Sequence, residues 1–198
     1  MSRHLQAPGA ALGFRVKSGW ACAVVLIGAA QAPQALDRRR LELSDPAIPA
    51  SLQPYHAAMG KLETDEAKIG QRAQVIERAT KQSVAALLDR CRAAGQSLGG
   101  AGLVVGSQID PATIANPHIR AHALEGRLFR SVLQEALQAR GLPCTVVVER
   151  EAYDRAAAVL GRSAADLKRA VGALGQALSG PWRAEEKLAS LAAWMTLA

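Results

Sequence analysis

Aromatic residues are scarce in this chain, at 4% of the sequence, so its core must be built from Ala, Leu and Val. Long apolar runs are missing as well: none approaches the roughly 18 residues of a membrane-spanning helix. Cysteine is limited to Cys22, Cys91 and Cys144. An odd count without metal-type spacing argues against a disulfide framework and suits a reducing compartment. No complete catalytic signature is present. There is no HExxH, and Ser107 and Ser163 lack a nucleophile elbow. Gly99-Gly100-Ala101-Gly102 precedes a strand pattern, whereas a phosphate-cradling loop follows a strand and opens a helix. Internal repeats and low-complexity segments are also lacking.

What remains is an ordinary globular composition, 49% hydrophobic and 21% charged over 198 residues. It fits one domain spanning residues 10–198 behind a flexible tail at 1–9. Twenty-four Lys and Arg against seventeen acids give a net charge of +7, which permits nucleic acid or another polyanion as partner. Arginine-rich coding composition explains the same excess without a partner. Arg38-Arg39-Arg40 is the compact basic run. On a strand, Arg38 and Arg40 share one face and are the candidates for nucleic-acid contact; a solvated sheet edge is the plainer alternative.

The chain order reads as three strands (about 10–15, 20–28 and 35–43) and then a long proline-containing connection. A helix follows, with Thr64 as its cap and Gly95 after its end. Its stripe runs through Ile69, Ala73, Ile76, Thr80, Val84, Leu87 and Cys91. Gly99-Gly100 leads into the strand AGLVVG. Asn116-Pro117 opens a second helix that stops at Gly141, and CTVVVE is a fifth strand. Helices from Glu151 to Leu160, from Ser163 to about Leu178 and from Glu185 to Leu197 complete the chain. Short turns make the first three strands antiparallel, and helical crossovers make the last two parallel. The expected fold class is α/β, a mixed five-stranded sheet flanked by helices.

This order resembles the ribonuclease H-like superfamily, in particular its Holliday-junction-resolvase branch. Leu12-Gly13-Phe14-Arg15 and Ser18-Gly19-Trp20-Ala21 are similar to the family's first strand and the turn into its second. LVVG at 103–106, TVVVE at 145–149 and PWRAEEKLASLAAW at the end look like its fourth and fifth strands and last helix. The likeness covers 10–198 as an order of elements and about a dozen residues as literal motif. It also bears on a competing reading of the N-terminus. Arg15 and Lys17, the apolar run 21–30 and Ala30-Gln31-Ala32 have the order of a secretory signal. Cleavage there would remove two strands the sheet needs, so strands are the favoured reading. The cytoplasm is then the expected location, with export the alternative if residues 1–32 are a signal.

The family's two-metal phosphodiester chemistry needs carboxylates around two divalent ions. The resemblance puts Arg15 at the first acid position, and Arg183 and Glu186 at the last-helix positions. A non-catalytic, degenerate domain is therefore expected, binding an anion, nucleic acid or a protein partner. Arg15, Lys17 and Arg183 would form the anion site, with Glu186 as counter-ion; an internal Arg15–Glu186 ion pair with no ligand is the alternative. A second expectation is a Mg- or Mn-dependent nuclease with a displaced carboxylate set drawn from Glu42, Asp45, Asp110, Glu149 and Glu186. A third is a partner-binding or self-assembling protein, a homo-oligomer, using a Leu188, Leu191, Met195 stripe, although such a stripe is more often core than interface. Separately, His118, His122 and Glu125 lie on one helix face, with Asp110 in the preceding loop. They are weak candidate metal ligands. Tyr55 and His56 fall in the long loop, where binding residues tend to sit.

Overall fold

The computed structural model describes residues 9–57 and 60–198. The expected tail lies outside them except for Gly9, whose carbonyl accepts from the Gly28 amide at 3.0 Å. Five strands form one sheet: β1 (Ala10–Lys17), β2 (Trp20–Ile27), β3 (Gln34–Glu42), β4 (Leu98–Val105) and β5 (Cys144–Val148). Their spatial order is β3-β2-β1-β4-β5. β1–β2 and β2–β3 are antiparallel, while β1–β4 and β4–β5 are parallel. The residues that could have been a signal sequence are thus the centre of the sheet. β2 is buried from Ala21 to Leu26, as its continuous apolar run demands of a strand covered on both faces.

Five helices cover the sheet: α1 (Glu66–Ala93), α2 (Pro117–Gln138), α3 (Ala152–Leu160), α4 (Ala164–Leu174) and α5 (Ala184–Leu197). α1 and α2 enclose one core with Leu12, Phe14, Leu103, Phe129 and Leu133. α3, α4 and α5 enclose the other with Val24, Leu26, Leu167, Leu191 and Trp194. Among the described residues no helix is long and apolar enough to cross a membrane.

Three local expectations are corrected. Asp65, rather than Thr64, caps α1, accepting from the amides of Ala67 and Lys68 at 3.1 and 3.2 Å; its short carboxylate reaches both first-turn donors. Gly99 and Gly100 lie inside β4 instead of leading into it. A Cβ on Gly100 would stand 3.0 Å from Thr196 and 3.2 Å from the Pro143 carbonyl, so the glycine admits neighbours rather than making a turn. The Leu188 and Leu191 stripe of α5 is buried against the sheet, so those two leucines are spent on the core.

α5 sits unusually close to that sheet because both surfaces are small. Ala189, Ala192 and Ala193 face Gly13 and Gly102. A Cβ added at Gly13 would lie 1.8 Å from the Ala189 carbonyl oxygen, and one at Gly102 would lie 2.5 Å from that of Ala192. This backbone-level approach sets the position of the helix N-terminus, with Glu185 and Glu186, beside the end of β1.

Candidate functional site

Because β1, β4 and β5 are parallel, their C-terminal ends open on one edge of the sheet. A cleft of about 410 Å³ lies there, lined by Arg15, Lys17, Ser18, Val105, Ser107 and His122 among others. Arg15 leaves β1 on the α5 face and is only 4% exposed. Its Nη1 donates to the Val16 carbonyl at 2.6 Å, and its Nη2 donates to Glu149. Among the described residues its Nε has no hydrogen-bond partner. Lys17 pairs with Glu185 at 3.5 Å. Glu186 accepts from the Arg183 amide at 2.8 Å and from Arg38 at 3.2 Å.

These pairings redistribute the expected anion site. Arg15 and Lys17 remain neighbours, but Arg15 meets Glu149 and not Glu186. Gly106, just after β4, lies beside the Arg15 guanidinium. The arginine reaches across β4 to the end of β5. Arg183 sits exposed at the N-cap of α5, away from this pair. The carboxylate of Glu185 is held below its usual range, first by a backbone amide of its own helix start and then by Lys17.

The basic run is also mostly consumed. Arg38 donates to the Ser179 carbonyl and to Glu186, Arg39 to Asp37, and Arg40 to Glu42. Arg40 lies 4.2 Å above the Trp20 ring. Arg38 therefore clamps the chain before α5 to β3, and Arg40 alone of the two stays half exposed. The displaced carboxylates do not converge. Glu42 is on β3, Asp45 turns its own loop by accepting from the Ala47 amide, and Asp110 accepts from the Ala112 amide. Asp110 is not among the residues whose ligand atoms gather at the histidines.

A second group of polar side chains stands across the cleft, on α2. Asn116 caps that helix by accepting from the amides of His118 and Ile119. His118, His122 and Glu125 follow on one face, and His56 joins them from the long loop. Three bonds hold His56 in place. The Ala57 amide donates to the Lys61 carbonyl, the Glu63 amide to that of Tyr55, and Arg72 of α1 to that of Pro54. Glu125 is wholly buried and lies 2.7 Å from His56 Nδ1. His56 was legible only as a loop histidine, since 62 residues separate it from His118. Among the described residues, His56, His118 and His122 are the group whose ligand atoms come together, all within 4.8 Å.

No family model matches the chain, and no curated protein matches it. Solved structures do. Thermus thermophilus RuvC, in a structure with its Holliday junction substrate, aligns with a TM-score of 0.54 at 13% identity, covering 94% of this chain and 90% of that one. Another Thermus thermophilus RuvC structure aligns with a TM-score of 0.52 at 10% identity, covering 94% and 92%. The fold is ribonuclease H-like, and it is similar to that of RuvC along nearly its whole length.

Proposed function

We propose that this chain is a non-catalytic ribonuclease H-like domain that binds nucleic acid through its phosphates at the strand-edge cleft. The observation that carries this reading is the ion pairing there. Arginine stands at the β1 acid position, and Glu149, Glu185 and Glu186 are each engaged by Arg15, Lys17 or Arg38. A two-metal centre needs free carboxylates facing one another; here a buried guanidinium occupies that space and repels divalent ions.

Unpaired cations lie next to this edge. Arg127 and Arg130 of α2 line an adjoining pocket with Ser107 and Gln108, and among the described residues neither forms an ion pair. Burial, and then the neighbouring Arg127, lower the Arg130 pKa. Asp110 lines the same pocket without pairing with either guanidinium, and two neighbouring guanidiniums suit a phosphate. With Lys17 and the half-exposed Arg40, they are the cations this reading assigns to the phosphate backbone. The junction substrate of RuvC makes branched DNA the first probe.

The test is anisotropy of a labelled four-way junction and of a linear duplex, over a salt series, with a cleavage assay in Mg²⁺ or Mn²⁺. Binding should weaken steeply with salt, and Arg127→Ala with Arg130→Ala should cost about tenfold and flatten the salt slope by about 1–2. No cleavage is expected. Metal-dependent cleavage would establish the nuclease alternative, and salt-insensitive or absent binding would overturn the phosphate reading.

A further inference from the structure

We infer that His56, His118 and His122 form a three-histidine site for a divalent transition ion of the zinc type, oriented by Glu125. The tautomers the surroundings select are the starting point. A carboxylate and a carbonyl only accept, so each ring nitrogen facing one of them donates. His56 Nδ1 faces Glu125 Oε1 at 2.7 Å. His118 Nδ1 faces the Gly60 carbonyl at 3.3 Å. His122 Nδ1 faces Glu125 Oε2 at 3.4 Å. His56 and His118 use Nδ1 as hydrogen-bond donors, while His122 Nδ1 faces the Glu125 carboxylate without closing a hydrogen bond; with the proton on Nδ1, each Nε2 keeps its lone pair.

Two of those lone pairs, on His118 and His122, face each other, and that of His56 points at the His118 ring, with one ring nitrogen of each histidine within 4.8 Å of the others. The Nε2 atoms of His118 and His122 are 3.3 Å apart, and His56 Nε2 lies 3.3 Å from the His118 ring at Nδ1. Two acceptors at that distance repel unless a cation sits between them. A tetrahedral ion with metal–nitrogen bonds of about 2.05 Å spaces its ligand nitrogens about 3.35 Å apart. The separation of His118 and His122 is that spacing.

Glu125 supplies an independent indication. Its side chain is 0% exposed, its ion-pair partners among the described residues are only His56 and His122, and its Oε2 has no hydrogen-bond partner. A buried carboxylate without a permanent cation is costly. A metal held by imidazoles that donate to that carboxylate provides the missing positive charge. Carboxylate–histidine–metal relays of this kind fix the ring orientation and raise ligand basicity.

Imidazole donors without thiolate suit zinc, with copper and nickel as competitors. The outer flanks of His118 and His122 are exposed, so three protein ligands leave a coordination position on the solvent side for water or an anion.

The experiment is equilibrium dialysis of the full, tag-free chain against Zn²⁺, with metal content per chain measured, and visible absorption after Co²⁺ loading. One zinc per chain is expected, with the intense visible bands of tetrahedral cobalt. His118→Ala with His122→Ala should bring bound metal below a tenth, and Glu125→Gln should weaken affinity about 10–100-fold. Circular dichroism checks that the double variant folds; should it not, His122→Ala alone is read in its place. Equal zinc in the parent and the variant, or none in either, would overturn the inference. DNA binding is measured separately, so failure here and failure of the phosphate reading remain distinct.

Discussion

A guanidinium taken out of water carries a large desolvation cost, and Arg15 recovers it through one carboxylate and one carbonyl. Glu149, the carboxylate, is 45% exposed, so part of the pair is screened. Removing the acid leaves the buried cation alone, whereas removing the cation leaves an acid that water can solvate. Glu149→Gln should therefore destabilise by about 1–3 kcal/mol, while Arg15→Met should be close to neutral. Urea denaturation of the two variants side by side measures this, and equal losses would show that packing rather than charge decides. The resemblance located Arg15 in the sequence but not its partner. Glu149 comes into reach through the order β1-β4-β5, which is not visible in local spacing. Thiol chemistry is quiet at the same scale: burial pushes the Cys22 pKa up to about 12 and that of Cys144 to about 11, which suppresses the reactive thiolate.

α5 is the element whose placement leaves least freedom. Its Ala189, Ala192 and Ala193 contact the backbone of β1 and β4 over Gly13 and Gly102, and a side chain there meets main-chain atoms that cannot rotate away. Gly13→Val should cost at least the ~1–3 kcal/mol typical of overpacking, read as a lowered urea midpoint. Gly126, whose Cβ would meet nothing within 4 Å, should tolerate Ala with a small gain in helix propensity. Most elements were legible because their signals are local. Asn116-Pro117 and Ser163 cap α2 and α4 as their residue types require, and Gly95 and Gly141 follow α1 and α2 with positive φ. The cap at Asp65 was missed because Asp65 also suits a first helical turn, although aspartate is the stronger cap by type.

Over the whole molecule, acid should act through carboxylates held in their charged form. Glu63 is lowered by the Asp65 amide, Asp65 by the Lys68 amide, and Asp166 by the Ser163 hydroxyl and Arg169. Each is more acidic folded than unfolded, so the unfolded chain binds more protons between the two values. The stabilisation is complete above about pH 5, clear of the unfolded values, and is lost as pH falls through the lowered folded values. Urea midpoints measured from about pH 6 down to about pH 3 should drop at the acid end, and no drop would remove these contacts from the stability account. The histidine group was half legible at this scale. Helical period put His118, His122 and Glu125 together, whereas His56 arrives by a tertiary path that no period records.

The close seat of α5 on Gly13 and Gly102 also carries a consequence for biosynthesis. β1 leaves the ribosome long before the helix that covers it: 176 positions separate Gly13 from Ala189, about 9–35 s at ordinary rates of translation. Through that interval one whole face of the central strands has no alanine helix to receive it. The nascent chain must hold an unfinished sheet open until α5 has been made and seats against it.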